Sequence, residues 1–182
     1  MGKSESALRT ERNRNIKDML WLCKPMVLAA VITAFLMHFV FINAYVPTGS
    51  MEPAIMAGDR IFGMGLLHDY RRGDIVIFPD PDGSGLYLVK RIIGMPGDLL
   101  EIRGGEVFIN GSSLEEGYLR ETMVQEEDFS IRLPEDGYFV MVDNRNDSYD
   151  ARYWDHKIVY GESITGIVLL RYWPVTEIRF LR

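Results

Sequence analysis

Residues 86–98 read LYLVKRIIGMPGD, and the alternation inside this stretch decides the fold class. In an extended strand successive side chains point to opposite faces, so Leu88, Lys90 and Ile92 share one face and Val89, Arg91 and Ile93 the other. One of two adjacent cationic side chains must therefore project among apolar neighbours. Two readings stand open. In the first, this is an edge strand from which both charged heads snorkel to water. In the second, the strand is covered and Lys90 is buried; desolvation then disfavours the ammonium form, lowers its pKa and leaves a neutral amine near physiological pH.

Similar short apolar runs recur on both sides of this stretch, in RIFGM, GDIVIFPD, LLEIRGG, EVFINGS, GYFVMVDN and ITGIVLLRYW. They are bounded by turn residues: Gly73-Asp74, Pro81-Asp82-Gly83, Gly94-Met95-Pro96-Gly97 and Asn110-Gly111. Gly104-Gly105 between two such runs predicts a tight hairpin. Ile75 to Phe78 is apolar on consecutive residues, as expected of a strand covered on both faces. The expected fold class is mainly β, a barrel-like or two-sheet domain over residues 47–182. Residues 112–136, with Glu115, Glu116, Glu126, Glu127 and Asp128, are acidic, poor in strand pattern and expected to form an exposed loop region.

Upstream the pattern changes. Residues 25–46, PMVLAAVITAFLMHFVFINAYV, carry no formal charge and reach the length of about twenty residues that a helix needs to cross a bilayer. A single transmembrane helix is expected there, against the alternatives of a cleaved signal peptide and a buried soluble helix. Lys3, Arg9, Arg12, Arg14, Lys17 and Lys24 precede it, and the next Lys or Arg is Arg60. The positive-inside bias puts residues 1–24 in the cytoplasm and the β domain outside. His38 and Asn43 are polar residues within the span; snorkelling or a neighbouring helix accounts for such groups as readily as function does.

Charge divides the chain in the same way. Residues 1–45 hold six Lys/Arg and three Asp/Glu, and the rest hold fourteen and twenty-three, so +3 stands against −9. An acidic main domain without a basic stripe argues against nucleic-acid binding. The single cysteine, Cys23, allows neither an internal disulfide nor a cysteine-based metal site, and no metal or cofactor is expected.

Three segments could carry chemistry: PTGSMEP at 47–53, LVKRIIGMPGD at 88–98 and DNRNDSYDAR at 143–152. Pro, Gly and Ser around Ser50 also suit a plain loop. If Lys90 is a buried neutral amine, however, it supplies the proton acceptor that a serine hydroxyl lacks, with no need of histidine or carboxylate. His68 and His156 sit in polar Leu-His-Asp-Tyr and Trp-Asp-His-Lys contexts unlike a catalytic base. The motifs of α/β-hydrolases, zinc helices and phosphate loops are absent.

Taken together these segments resemble the bacterial type I signal peptidases, or leader peptidases, over essentially the whole chain. Pro47-Thr48-Gly49-Ser50-Met51-Glu52-Pro53 looks like the family's nucleophile motif, Arg72-Gly73-Asp74-Ile75-Val76 like the next strand motif, and Lys90 to Asp98 like the general-base motif. Asp143-Asn144-Arg145 through Asp150-Ala151-Arg152 resembles the fourth. The resemblance implies a membrane-bound Ser-Lys dyad endopeptidase that removes signal peptides from exported preproteins after small residues, at Ala-x-Ala-like sites. Its partners are those preproteins and the lipid bilayer. Ser50 would be the nucleophile and Lys90 its base, with the Ser50 N–H and the Thr48 hydroxyl as oxyanion hole. Ser148 would orient the lysine amine. Asp143, Arg145, Asp150 and Arg152 would support the dyad through ion pairs and hydrogen bonds. Val46, Met51 and Ile55 would line shallow substrate pockets.

Two positions depart from the pattern: Val142 stands where glycine usually opens the fourth motif, and Ala54 where threonine is frequent. The fifty or so residues between Lys90 and Asp143 leave no room for a large inserted domain, as in the compact Gram-positive form. Two rivals are a self-cleaving Ser-Lys protease like the SOS repressors, for which no helix-turn-helix precedes the core, and a tethered β domain serving only in envelope assembly, which leaves Ser50 and Lys90 unexplained.

Overall fold

The computed structural model describes residues 21, 23–36, 40–66, 69–124, 128–147 and 149–181. Contacts divide the chain into two units, 1–40 and 41–182. In the first, residues 23–36 are helical. No helix among the described residues is long and apolar enough to cross a membrane.

The second unit is built from antiparallel strands in two sheets. The larger runs in the order β1 (Phe41–Tyr45), β2 (Arg60–Met64), β11 (Gly166–Trp173), β3 (Ile75–Pro79), β4 (Tyr87–Gly94), β9 (Gly137–Met141) and β10 (Val159–Tyr160), with β12 (Arg179–Phe180) also paired to β11. The smaller runs β7 (Ser112–Ser113), β6 (Glu106–Ile109), β5 (Leu99–Arg103) and β8 (Phe129–Arg132). The expected hairpin joins β5 to β6 through Gly104 and Gly105 at φ 56° and 82°, the left-handed pair that a two-residue turn of this hand requires.

Two sequence expectations are corrected. Residues 41–45, placed by composition at the end of an apolar helix, form strand β1, and the β unit begins at 41 rather than 47. The reason is a period of two hidden in uniform apolarity. Ile42, Ala44 and Val46 pack against a buried cluster, while Asn43 and Tyr45 face out and Asn43 accepts a hydrogen bond from the Tyr172 hydroxyl at 2.8 Å. Pairing with β2 from Phe41↔Met64 to Tyr45↔Arg60 satisfies the backbone that a helix would otherwise satisfy internally. The other correction concerns residues 112–136. They contain β7 and β8, and residues 114–124 fold back on the rest of the domain, with Met123 buried.

β3 separates two apolar clusters. Val76 and Phe78 enter the first, which also holds Ile92, Phe139, Val140, Leu100, Ile102 and Trp154 and so joins the two sheets. Ile75 and Ile77 enter the second, with Met51, Ile55, Ile61, Val142, Val168 and Leu181, on which the segment after β1 is docked. This is the covered strand that the run of consecutive apolar residues implies. Trp154 stacks edge-on against Phe78, with ring centroids 6.0 Å apart, and presses residues 150–154 onto the sheet. Trp154→Ala is expected to destabilise the protein by about 3–5 kcal/mol, and Trp154→Phe by less, as read from denaturant unfolding of the full chain in detergent.

Candidate active site

Ser50 lies on a tight turn between β1 and β2. The Glu52 N–H donates to Gly49 O at 3.0 Å and the Ile55 N–H to Met51 O at 2.8 Å, giving one helical turn after the serine. Glu52 folds back over Gly49, so that a Cβ there would lie 2.5 Å from its Oε1 and the carboxylate would have to swing aside. Met51 and Ile55 anchor the turn from beneath, both wholly buried. Ser50 itself is half-buried, and its Oγ accepts a hydrogen bond from the exposed Thr48 hydroxyl at 3.4 Å. Its backbone N–H donates to no other described residue.

Lys90 lies in the middle of β4, paired with Val76 of β3, so its stem points to the face of the first cluster. Both Lys90 and Arg91 are 5% exposed, which excludes the snorkelling edge strand. The two cations are treated differently. Arg91 is fully paired: Nε and Nη2 donate to the two Asp143 oxygens at 2.8 and 2.6 Å, Nη1 donates to Gly73 O at 2.7 Å, and the guanidinium lies 4.2 Å from the centre of the Tyr118 ring. Lys90 Nζ makes no hydrogen bond or ion pair with any described residue. Burial pushes its pKa down from 10.5 to about 8, against the opposing pull of Asp150 and Asp80 and with Arg152 adding to the fall.

The fourth segment runs from the end of β9 and touches both. The Asn144 N–H donates to Ser50 O at 3.0 Å and its side-chain amide to Gly49 O at 3.4 Å. Asp150 accepts from the Val142 N–H at 3.0 Å and from Arg152 Nε at 2.8 Å and Nη2 at 3.0 Å. Arg152 also donates to Arg145 O at 2.8 Å, and Arg145 Nε to Val142 O at 2.8 Å. Arg145, with no exposed side chain, is neutralised by Glu116, the Nη1–Oε2 distance being 2.9 Å. The Tyr118 hydroxyl donates to the same glutamate at 2.6 Å, and burial pushes its pKa up.

Thus the structure brings Thr48 to Ser50, Asp143 to Arg91, and Asp150 and Arg152 to the field around Lys90. Ser148 lies outside the described residues. No hydrogen bond joins Ser50 Oγ to Lys90 Nζ; proton transfer requires the two to approach within about 3 Å, a contact that often tightens only with substrate bound. Val46, Met51 and Ile55 are buried members of the second cluster, as is Val142, whose side chain occupies this cluster where a glycine would leave space. Glu116, Tyr118 and Asn144 are support residues that the sequence did not single out. Glu116 is one acid among several in an acidic stretch, and no local pattern separates it from its neighbours.

The chain matches the model of the family described as signal peptidase, peptidase S26, over residues 19–173. It is 36% identical over 170 residues to a probable signal peptidase I-2 of Synechocystis sp., covering 89% of this chain and 77% of that one. It is 32% identical over 182 residues to a signal peptidase I of Bacillus licheniformis, covering 93% and 97%. A crystal structure of a signal peptidase I from Enterococcus faecalis matches with 36% identity over 54% of this chain and 96% of that one, at a TM-score of 0.48.

The buried amine has a consequence for stability. With its folded pKa near 8 and a reference value of 10.5, Lys90 binds fewer protons folded than unfolded between those pH values, so stability rises with pH there. Below about pH 8 the full penalty is present. Lys90→Met should therefore be more stable than the parent near neutral pH, by on the order of 3 kcal/mol. The advantage should shrink as pH rises from 8 towards 10.5, as measured by denaturant midpoints across that range.

Proposed function

The chain belongs to the peptidase S26 signal peptidase family, and from that premise we propose that Ser50 and Lys90 are its catalytic pair. As a member it is a membrane-associated serine endopeptidase that cleaves signal peptides from preproteins. The observation that carries the assignment of the base is the isolation of Lys90: a buried amine on a covered strand, its pKa lowered by burial, among buried ionic groups that are otherwise paired.

In this reading Ser50 Oγ attacks the carbonyl carbon of the scissile bond as neutral Lys90 Nζ takes the hydroxyl proton. The carbonyl oxygen becomes an oxyanion, held by the Ser50 N–H and the Thr48 hydroxyl. Lys90 then passes the proton to the leaving amine, the new N-terminus of the mature protein, and an acyl-enzyme remains on Ser50. A water that gives its proton to Lys90 attacks that ester, and Lys90 returns the proton to Ser50 Oγ as the signal peptide leaves. The Ser50 N–H, which has no acceptor among the described residues, and the proximity of Thr48 support the oxyanion role. Ser148, by its place in the fourth motif, is assigned to orient the amine. Asp143, Arg145, Asp150 and Arg152 hold the frame. Val46, Met51 and Ile55, buried beneath the nucleophile turn, would reach small residues at the first and third positions before the cut, and so give an Ala-x-Ala-like preference, only where substrate opens the surface above them.

We also propose a single span that ends before β1, by residue 40, with the cytoplasmic N-terminus before it and the β unit outside. The support is the charge asymmetry and the apolarity of the stretch from residue 25.

Ser50→Ala and Lys90→Met are each expected to lower cleavage of a labelled preprotein with an Ala-x-Ala site by about a thousandfold or more while the protein stays folded. Parent-level turnover in either variant would remove that residue from the mechanism. Because the base must be neutral, turnover should climb roughly tenfold per pH unit below about 8 and level off above it; a flat profile contradicts the lysine base. For the topology, protease added outside oriented vesicles should digest the β unit and spare residues 1–24, and digestion of both from one side would overturn it.

A further inference from the structure

The nucleophile turn is tethered on two sides. On one, Asn144 binds the oxygens of Gly49 and Ser50. On the other, Arg179 of β12 reaches across and donates from Nη2 to the carbonyl oxygens of both Pro53, at 2.9 Å, and Ala54. These carbonyls belong to the turn that begins at Gly49 and accept no backbone N–H among the described residues. The next residue but one, Leu181, is buried in the second cluster with Met51, Ala54 and Ile55, and its N–H donates to Leu169 O at 3.0 Å. Residues 179–181 are therefore strapped onto the sheet beside the turn that carries the serine.

Arg179 is the cation on this strap without a carboxylate. Its register partner Arg171 is neutralised by Asp59 at 3.1 Å and Glu177 at 2.6 Å. Arg179 makes no ion pair among the described residues, and its side-chain hydrogen bonds there go to the nucleophile turn. We propose that Arg179 is a positioning residue for catalysis, whose guanidinium fixes the turn so that Ser50 Oγ and the Ser50 N–H are held in line with the scissile carbonyl. A guanidinium suits this task because its planar fork presents several donors to adjacent acceptors, whereas an ammonium is a single compact point charge. The inference rests on the assignment of Ser50 as nucleophile.

Two cavities flank the Arg179 side chain, one of about 540 Å³ bordered by Ala54, Arg72 and Leu181, the other of about 550 Å³ bordered by Pro53, Met56 and Arg171. Solvent and small cations thus have room to reach the position the guanidinium occupies. That makes chemical rescue a direct test.

In the full-length enzyme Arg179→Ala is expected to lower kcat by about 10- to 100-fold, the scale of a small misplacement of a reacting group, with KM changed less than about threefold. Arg179 is not among the charges acting on Lys90, so the pH at which turnover reaches half its plateau should stay where it is in the parent. Millimolar guanidinium, but not ammonium at equal ionic strength, should restore activity saturably. Activity within twofold of the parent, or a loss that guanidinium does not restore, overturns the proposal. Should the alanine variant fail to fold, Arg179→Lys keeps the charge and is expected to fold yet lose kcat; full kcat in that variant overturns it equally. Ser50→Ala assayed alongside separates the two assignments, since activity surviving there refutes the nucleophile whatever Arg179 does.

Discussion

The desolvation of one amine is the constraint around which this domain is arranged. A lysine brought from water into a covered strand loses the hydration of its ammonium form, and only a nearby anion or hydrogen-bond acceptor in good geometry could restore it. Here Asp150 lies close enough to oppose the pKa fall, yet its oxygens are taken up by Arg152 and the Val142 N–H. Lys90 therefore feels a carboxylate whose charge is already spent. Burial wins, and the amine sits near 8 rather than 10.5. The low value is a property of the frame as much as of the lysine.

That frame explains why the fourth segment is needed at all. Ser50 rides on a turn docked to the second apolar cluster, while Lys90 rises from a strand face belonging to the first, and β3 stands between the two clusters. Residues 142–152 span the gap: Asn144 holds the serine turn, Asp143 holds Arg91 next to the lysine, and Asp150 with Arg152 sets the field on the lysine itself. Glu116 and Tyr118 brace this bridge from a third direction through Arg145 and Arg91. The serine turn on one core and the lysine strand on the other are thus linked by a loop whose own geometry is held by ion pairs rather than by a sheet.

How far this could be read from sequence differs by the range of the interaction. The unbroken apolar run at 75–78 predicts a covered strand and alternation along 88–93 a strand that is either edge or covered, because those patterns report contacts of a strand with its own two faces. Gly104-Gly105 predicts its hairpin because positive φ is a local demand. The stretch 41–45 misled, since Phe, Ile, Ala and Tyr suit a lipid-facing helix and a sheet edge alike, and what separates them is pairing with β2. The influence of Asp150 on Lys90 and the pairing of Arg145 with Glu116 and of Arg179 with residues 53–54 join positions tens of residues apart. Composition carries no signal for such pairings; the motif resemblance pointed to Asp150 and Arg145, and nothing pointed to Glu116 or Arg179.

The choice of cations follows from the same chemistry. Every buried positive group used here for support is an arginine: Arg91, Arg145, Arg152 and Arg171. Guanidinium stays protonated throughout the pH range in which proteins work, so these pairs keep their charge and their geometry. The remaining buried cation, Lys90, is the one whose proposed role as base requires a change of charge, and an amine gives up its proton readily once desolvated. Had Lys90 been an arginine, burial could not have neutralised it. Had Arg91 been a lysine, the bidentate hold on Asp143 would be lost, and the strand would carry two adjacent groups able to titrate. With Lys90 in the role proposed for it, fixed charge in the frame and variable charge on the amine let it deprotonate while the neighbouring arginine–carboxylate pairs stay intact.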